Sequence, residues 1–210
     1  ILRELQSAGS AGEFYTPHEV SDMMARIAAI GQEDKQLFSV FDPTMGSGSL
    51  MLNIRNYLNY PESVKYHGQE LNTTTFNLAK MNLILHGVDN EDIRLRNGDT
   101  LNKDWPTDEP YTFDSVVMNP PYSAKWSADD TFLDDSRFNK YGKLAPKSKA
   151  DFAFLLHGFY HLKDSGTMAI VLPHGVLFRG AAEGVIRQKL LEDGSIDTVI
   201  GMPANLFFGT

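Results

Sequence analysis

An amide, two prolines and an aromatic ring occupy positions 119–122, directly after an apolar run that predicts a buried strand. Pro120 and Pro121 fix the backbone and remove two N–H donors, so the local carbonyl oxygens can only accept hydrogen bonds. The side-chain oxygen of Asn119 is a further acceptor, and Tyr122 offers a flat ring. This group suits a planar amino group. The alternative is an ordinary turn, because Asn and Pro are frequent turn residues.

Three acidic residues each follow a predicted strand upstream of this group. Asp42 comes first, Glu70 lies 28 residues further on, and Asp99 another 29. Because open α/β sheets bind ligands outside the carboxyl ends of their strands, we expect the three acids and Asn119 to face one ligand. Glu70 is placed to accept the hydroxyls of a ribose, and Asp99 to accept from the amino group of an adenine ring. Each acid alone has a plainer interpretation as a helix cap or a surface charge.

The turn after the first predicted strand contains Gly46 and Gly48, which let the backbone approach a ligand closely before a helix begins. It does not match the dinucleotide fingerprint G-x-G-x-x-G, because an acid, Asp42, precedes only two glycines. A carboxylate at that position opposes a pyrophosphate. The turn therefore favours a cationic or amino-bearing ligand.

The order of the apolar runs predicts an α/β fold with a mostly parallel sheet and helices on both faces. Six strand-like runs alternate, for the most part, with segments long enough for a helix: residues 37–41, 64–67, 93–95, 113–118, 167–172 and 196–200. Thr16 is expected to cap a helix that starts at Pro17 and is closed by Gly31. A second helix is expected over residues 73–86.

Residues 123–149 have no periodic pattern, and unpatterned connections of this length are commonly lids or binding loops. We expect a flap that contacts the substrate. Its basic residues are candidates for phosphate contacts: Lys125, Arg137, Lys140, Lys143, Lys147 and Lys149. Four aspartates in the same segment make a plain solvated loop an equal alternative.

The composition sets bounds on the class of protein. The 210 residues are 42% hydrophobic, enough for the core of one domain, and the absence of cysteine excludes disulfides and thiolate metal sites. No apolar run approaches the roughly 18 residues of a membrane span, so we expect a cytoplasmic protein with no membrane partner. The six histidines show no metal-ligand spacing, and no metal is expected.

The formal net charge of −8 has the wrong sign for a protein that grips nucleic acid over its whole surface. If the chain acts on DNA, a partner is expected to supply much of the grip. The chain starts at Ile1 rather than Met, so we expect residues 1–210 to be one catalytic domain cut from a longer protein.

With these motifs the chain resembles the class I S-adenosylmethionine-dependent methyltransferases, which have a Rossmann-like fold. Within them it is similar to the DNA adenine-N6 methyltransferases, and in particular to the modification subunit of type I restriction–modification systems. The motif order resembles the gamma arrangement of amino-methyltransferases. The motifs that carry the resemblance are Gly-Glu-Phe-Tyr-Thr-Pro at 12–17, Asp-Pro-Thr-Met-Gly-Ser-Gly-Ser-Leu at 42–50, Gly-Gln-Glu-Leu-Asn at 68–72, Gly-Asp-Thr-Leu at 98–101, Asn-Pro-Pro-Tyr at 119–122 and Ala-Ile-Val-Leu-Pro-His-Gly at 169–175.

The resemblance implies a set of contacts to S-adenosylmethionine. Tyr15, Thr16 and Pro17 would line its methionine end, Glu70 would hold its ribose and Asp99 its adenine. The full set implied for the cofactor is Tyr15, Thr16, Pro17, Asp42, Thr44, Gly46, Ser47, Gly48, Glu70, Asp99 and Asn119.

The chemistry expected at positions 119–122 is methylation of an adenine amino group. The base must leave the duplex, and Tyr122 would stack on it. The resemblance implies a second aromatic ring on the other side of the base, for which Phe208 is the candidate and Phe207 the fallback. The Asn119 side-chain oxygen and the Pro120 carbonyl would accept the amino hydrogens and stabilise the developing positive charge. We expect a direct in-line transfer without a metal or a covalent enzyme intermediate.

The partners that the resemblance implies are DNA, a type I specificity subunit and the restriction subunit, in a bacterial or archaeal cell. Two alternatives stay open. A protein glutamine or an RNA amino group poses the same geometric problem as adenine, and a module that binds the cofactor without chemistry would keep the three acids.

Overall fold

A computed structural model gives the fold, and it describes residues 16–102, 106–107, 111–203 and 206–207. These residues form one parallel sheet whose strands lie in the order β3-β2-β1-β4-β5. The strands are β1 (Phe38–Asp42), β2 (Val64–Glu70), β3 (Ile93–Asn97), β4 (Phe113–Met118) and β5 (Leu162–Ile170). The predicted parallel α/β architecture is confirmed. Strand order reverses between β1 and β4, and open sheets bind their ligands at such a point.

Helices cover both faces of the sheet: α1 (His18–Ala29), α2 (Ser49–Asn53), α3 (Thr73–Leu85), α4 (Asp151–Tyr160) and α5 (Ala181–Glu192). The first three pack on one core, which contains Met24, Met51 and Leu83. The last two pack on a second core, which contains Leu156 and Ile186. β1 and β4 are buried along their whole length, as is usual for strands inside a parallel sheet.

The expected start of the first helix is wrong by one residue. The helix begins at His18, Pro17 is its flanking residue with an extended ψ of 146°, and the cap makes no side-chain hydrogen bond. The hydroxyl of Thr16 accepts a hydrogen bond from the distant Asn119 instead. The second predicted helix is confirmed: Asn72 caps it and Gly87, with φ +77°, follows its end.

The strand expected at residues 196–200 does not form. Val199 is 61% exposed and Ile200 48% exposed. The run satisfies the strand pattern of alternating and β-branched apolar residues, but a strand also needs a neighbour to pair with. No segment in the described ranges pairs with it.

The segment 123–149 is packed rather than loosely solvated. Trp126 contacts the rings of Phe132 and Phe138 at centroid distances of 5.3 and 5.6 Å, and its indole N–H donates to the carbonyl oxygens of Ala145 and Pro146. Four of its lysines stay exposed and Lys149 is half-buried.

The expectation that Arg137 meets a phosphate is wrong, because the side chain is 2% exposed. Its guanidinium donates to the carbonyl oxygens of Thr100 and Leu101 and pairs with Asp135. Arg137 therefore ties the segment to the loop that follows β3. None of the helices in the described ranges has the length and apolarity of a membrane span.

A buried carboxylate stabilises the edge of the sheet at which the strands begin. Asp114 accepts hydrogen bonds from the backbone N–H and hydroxyl of Ser39, and pairs with Lys35 and Lys163. Burial alone would raise the pKa of Asp114, but these hydrogen bonds outweigh it and lower the pKa to about 2. The ionised form is thus stabilised by folding.

Asp114→Asn is expected to lower the free energy of unfolding by about 1–2 kcal/mol at pH 7. The folded-state pKa lies below the unfolded value of about 3.9, so this contribution is full above pH 4 and is lost as the pH falls toward 2. Urea denaturation of wild type and variant at pH 7 and at pH 3 measures the difference. An unchanged difference at the two pH values would contradict the assignment.

Candidate active site

The carboxyl ends of the strands bring the predicted acids into one connected region. The turn after β1 is held to β2 by two bonds, from Met45 N to the Gln69 carbonyl oxygen (3.0 Å) and from Gly46 N to a Glu70 carboxylate oxygen (3.1 Å). The hydroxyl of Thr100 donates to the Pro43 carbonyl oxygen at 2.6 Å. Loops after β1, β2 and β3 therefore meet, as the sequence predicts.

Asp42 ends β1 and is 1% exposed. Its carboxylate accepts from the backbone N–H of Thr44 at 2.9 Å. Burial, with a smaller contribution from the charge of Glu70, raises the pKa of Asp42 to about 8, and this net value includes the opposite effect of the Thr44 hydrogen bonds. Because the ionised form is costly to keep buried, Asp42 favours a positively charged group beside it.

The glycine turn has the backbone that its sequence predicts. Gly46 and Gly48 have φ values of +53° and +75°, which L side chains rarely adopt. No atom lies within 4 Å of the position that a Cβ would take at Gly46, so open space adjoins this backbone. The side chain of Ser47 bonds that of Ser49 at 2.9 Å, and the Ser47 carbonyl accepts from Asn82 on α3 at 3.0 Å.

Glu70 and Asp99 take different local roles. The two carboxylate oxygens of Glu70 accept from Gly46 N and from Asn72 N (2.8 Å), so this side chain bridges two loops. Asp99 accepts from the backbone N–H of Leu101 at 2.9 Å, within the turn that follows β3. Both side chains are half-buried, which leaves part of each carboxylate accessible to a ligand.

The motif at 119–122 forms a hydrogen-bonded set with the start of α1. The side-chain amide of Asn119 donates to the Thr16 hydroxyl at 3.0 Å, and its oxygen accepts from the Tyr122 hydroxyl at 3.0 Å. Donation to Thr16 turns the Asn119 oxygen towards Tyr122. Burial raises the pKa of Tyr122 to about 12, so the hydroxyl stays a donor at neutral pH.

The aromatic partner of the motif in the described residues is Phe207. Its ring stands almost perpendicular to that of Tyr122, at 82°, with centroids 6.0 Å apart. Phe207 was the fallback prediction for the ring that faces the base. Tyr15 and Phe208 lie outside the described residues, so their roles stay predictions.

Sequence reasoning missed Asp151. This acid is 1% exposed, and it accepts a hydrogen bond from the backbone N–H of Ser123, the residue after Tyr122. The only signal is an acid inside the apolar run 150–156, and the start of a helix explains that signal without any site.

His157 in α4 and His161 directly after it are packing residues, as expected. His157 and His161 are fully buried; His157 lies 3.2 Å from an Arg137 nitrogen and His161 lies 2.6 Å from the Tyr111 carbonyl oxygen. Burial lowers the pKa of His157 well below its ordinary value. The described residues contain no group of three or more His, Asp or Glu that could hold a metal ion.

Solved structures define the class of this fold. A crystal structure of the type I restriction–modification methyltransferase subunit from Streptococcus thermophilus aligns with a TM-score of 0.94 at 67% identity, over 96% of this chain and 43% of that chain. A class I S-adenosylmethionine-dependent methyltransferase from Listeria monocytogenes aligns with a TM-score of 0.71 at 18% identity, over 91% of this chain and 56% of that chain. The second likeness concerns the fold alone. The fold is that of the class I S-adenosylmethionine-dependent methyltransferases.

The chain belongs to the N-6 DNA methylase family, whose family model matches residues 1–210. It is 44% identical to the type I restriction enzyme MpnII methylase subunit of Mycoplasma pneumoniae, over 98% of this chain and 39% of that protein. It is 34% identical to the MjaVII methylase subunit of Methanocaldococcus jannaschii, over 94% of this chain and 34% of that protein. The chain thus spans less than half the length of these relatives.

Asp42→Asn is expected to stabilise the ligand-free protein increasingly as the pH rises from about 4 to about 8. In that window the unfolded Asp42 is ionised while the buried one keeps its proton, so wild-type stability falls with pH. Asparagine can still accept from Thr44 and has no proton to lose. The difference should reach the order of 2 kcal/mol, measured by urea denaturation across the window. A difference that does not vary with pH would refute the raised pKa.

Proposed function

We propose that this chain transfers a methyl group from S-adenosylmethionine to the 6-amino group of a flipped adenine in DNA. The observation that carries the proposal is the hydrogen-bonded set of Thr16, Asn119 and Tyr122, which lies at the same edge of the sheet as the buried acid Asp42. The turn that carries Asp42 suits a cationic cofactor, and the motif at 119–122 suits a planar amino group. The family of the chain and the names of its relatives support this assignment.

The residues at the ends of β1 and β2 fit S-adenosylmethionine. This cofactor carries a positive sulfonium and an amino group, and Asp42 is a buried carboxylate whose ionisation a positive charge would favour. The open space beside Gly46 admits a ligand against the backbone. Glu70 would accept from the ribose hydroxyls and Asp99 from the adenine amino group. When bound, the cofactor supplies an activated methyl group on its sulfonium.

The other residues assigned to the cofactor line the same turn and the start of α1. Thr44 and Ser47 lie half-buried on the same turn as Gly46 and Gly48. Pro17 is buried at the flank of α1 and Thr16 is half-buried beside the motif. We assign Tyr15 to the methionine end together with them.

The acceptors for the adenine amino group are the Asn119 side-chain oxygen and the Pro120 carbonyl. They would draw the nitrogen away from conjugation with the ring and stabilise the positive charge that develops on it. Thr16 keeps the Asn119 oxygen turned to the base, because the amide nitrogen is committed to the Thr16 hydroxyl. The protein then contributes mainly alignment, and the methyl group passes directly to the nitrogen.

Entry of the base requires the Tyr122 ring to move or Phe207 to turn. The Tyr122 hydroxyl occupies the Asn119 oxygen that the amino group needs. A base stacked between two rings also needs them parallel, whereas these rings are perpendicular. We infer that the base displaces the hydroxyl and stacks on Tyr122, with Phe207 or Phe208 on its other face.

We infer that the chain works as part of a type I modification subunit, together with a specificity subunit and the restriction subunit, in the bacterial or archaeal cytoplasm. The relatives are named as subunits of type I restriction enzymes. A net charge of −8 is consistent with a partner that supplies much of the grip on DNA phosphates.

The decisive experiment offers the whole subunit, with its specificity partner, methyl-labelled S-adenosylmethionine and three acceptors: unmethylated plasmid DNA, RNA and glutamine-containing peptides. We expect label in DNA as N6-methyladenine. Label only in RNA or peptide, or cofactor binding without transfer to any acceptor, would replace the proposal by one of the alternatives.

Asn119→Ala is expected to lower the methylation rate by about 10²–10³, the usual loss when a charge-stabilising group is removed. Asn56→Ala, at an exposed position away from the sheet edge, is the matched control and should leave the rate unchanged. Initial rates of label incorporation into DNA measure both. A wild-type rate for Asn119→Ala would remove the amide from the mechanism.

Glu70→Gln is expected to weaken S-adenosylmethionine binding about 10-fold, because hydrogen bonds to a charged acceptor are the stronger ones. The exposed Glu62→Gln changes the net charge equally and should bind like wild type. Isothermal titration calorimetry gives both dissociation constants. Equal weakening by the two substitutions would indicate a general charge effect and not a contact.

A further inference from the structure

The carboxylate of Asp151 connects the loop that follows the 119–122 motif with Arg179, which lies just before α5. Asp151 starts α4, and its Oδ1 accepts from the backbone N–H of Ser123 at 2.8 Å. Its other oxygen accepts from the guanidinium of Arg179, which also donates to Glu183 at 2.8 Å. The side chain of Asp151 is 1% exposed and that of Glu183 is 4% exposed, so this is a buried network.

Ser123 has a backbone conformation that needs support. Its φ is +51°, in the left-handed region that residues other than glycine adopt only when their surroundings hold them there. The bond to Asp151 supplies that support. The next residue is held as well, because Ala150 N donates to the Ala124 carbonyl oxygen at 2.8 Å.

The other end of the motif is held by the sheet. Met118 is the last residue of β4, which pairs with β1 on one side and β5 on the other. Its carbonyl oxygen accepts from Val171 N at 3.1 Å. Residues 119–122 therefore form a short arch, with the sheet at one end and the start of α4 at the other.

We propose that Asp151 is a positioning residue for methyl transfer, which holds the arch so that the acceptors of Asn119 and Pro120 meet the amino group. Arg179 balances the buried charge of Asp151, and Glu183 orients Arg179. This inference rests on the proposed function, since it names what keeps that site in shape. Asp151 itself does not touch the reacting atoms.

The test compares two substitutions of Asp151 with a matched control. Asp151→Asn keeps one acceptor oxygen and should lower kcat for DNA methylation about 10-fold, whereas Asp151→Ala keeps none and should lower it about 100-fold. The dissociation constant of S-adenosylmethionine should stay within about twofold in both, because the arch contributes a single residue, Asn119, to the set assigned to the cofactor. Asp114→Asn removes an equally buried acid from the start of β4, at the end of that strand away from the arch, and its kcat should match wild type.

Amide hydrogen exchange followed by mass spectrometry gives a readout that does not depend on activity. Peptides that cover residues 119–126 should exchange faster in the two Asp151 variants than in wild type and in Asp114→Asn. Each variant is compared at equal fractions folded, so that loss of global stability is not mistaken for opening of the arch.

The possible results separate the two claims. Faster exchange together with lower kcat at unchanged cofactor affinity supports the positioning role. Unchanged exchange in the arch, or unchanged kcat despite faster exchange, overturns it. If the Asp151 variants exchange faster than wild type but wild type itself methylates no DNA, the support by Asp151 stands and the proposed function is overturned instead.

Discussion

The parallel pairing of β1 with β4 is the constraint on which the candidate site depends. Val40 and Phe41 lie in register with Ser115 and Val116, so both strands end at the same edge of the sheet. Connections leave these two strands towards opposite sides, which opens a crevice between them. The turn that carries Asp42 and the arch that carries Asn119 border that crevice. The turn that we assign to the cofactor and the acceptors that we assign to the amino group are thus placed together by backbone pairing before any side chain contributes.

Two buried aspartates at opposite ends of the sheet differ in their surroundings, and the pKa of each shifts in the opposite direction. Asp114 is met by two lysines and a serine, and its pKa is lowered to about 2. Asp42 is met mainly by a backbone N–H and by the like charge of Glu70, and its pKa is raised to about 8. The first carboxylate stabilises the fold at neutral pH. The second destabilises it there, which is the expected cost of keeping a site ready for a cation.

Much of the fold follows from local sequence pattern, since apolar runs between helix-length segments determine a buried parallel sheet. The grouping of Asp42, Glu70 and Asn119 follows in turn from their positions after strands. What sequence pattern misses are contacts made by tertiary structure. Thr16 satisfies the capping rules, yet its hydroxyl bonds a residue 103 positions away. Arg137 lies in a polar segment, but it is buried and donates hydrogen bonds to backbone carbonyl oxygens. Residues 196–200 have the composition of a strand, but no described strand pairs with them. Asp151 could not be predicted either, because its hydrogen bond with the backbone of Ser123 is made by the tertiary structure.

In the proposed site, Asp42 keeps its proton in the free protein and loses it when the positively charged cofactor binds beside it. Calorimetric titration with S-adenosylmethionine in buffers of different ionisation enthalpy counts the protons released on binding. At pH 7 we predict release of about one proton per cofactor bound, falling toward zero at pH 9, where free Asp42 is already ionised. Saturable binding without proton release at pH 7 would show that Asp42 is not the group that meets the cation, and it would contradict the account at its first step.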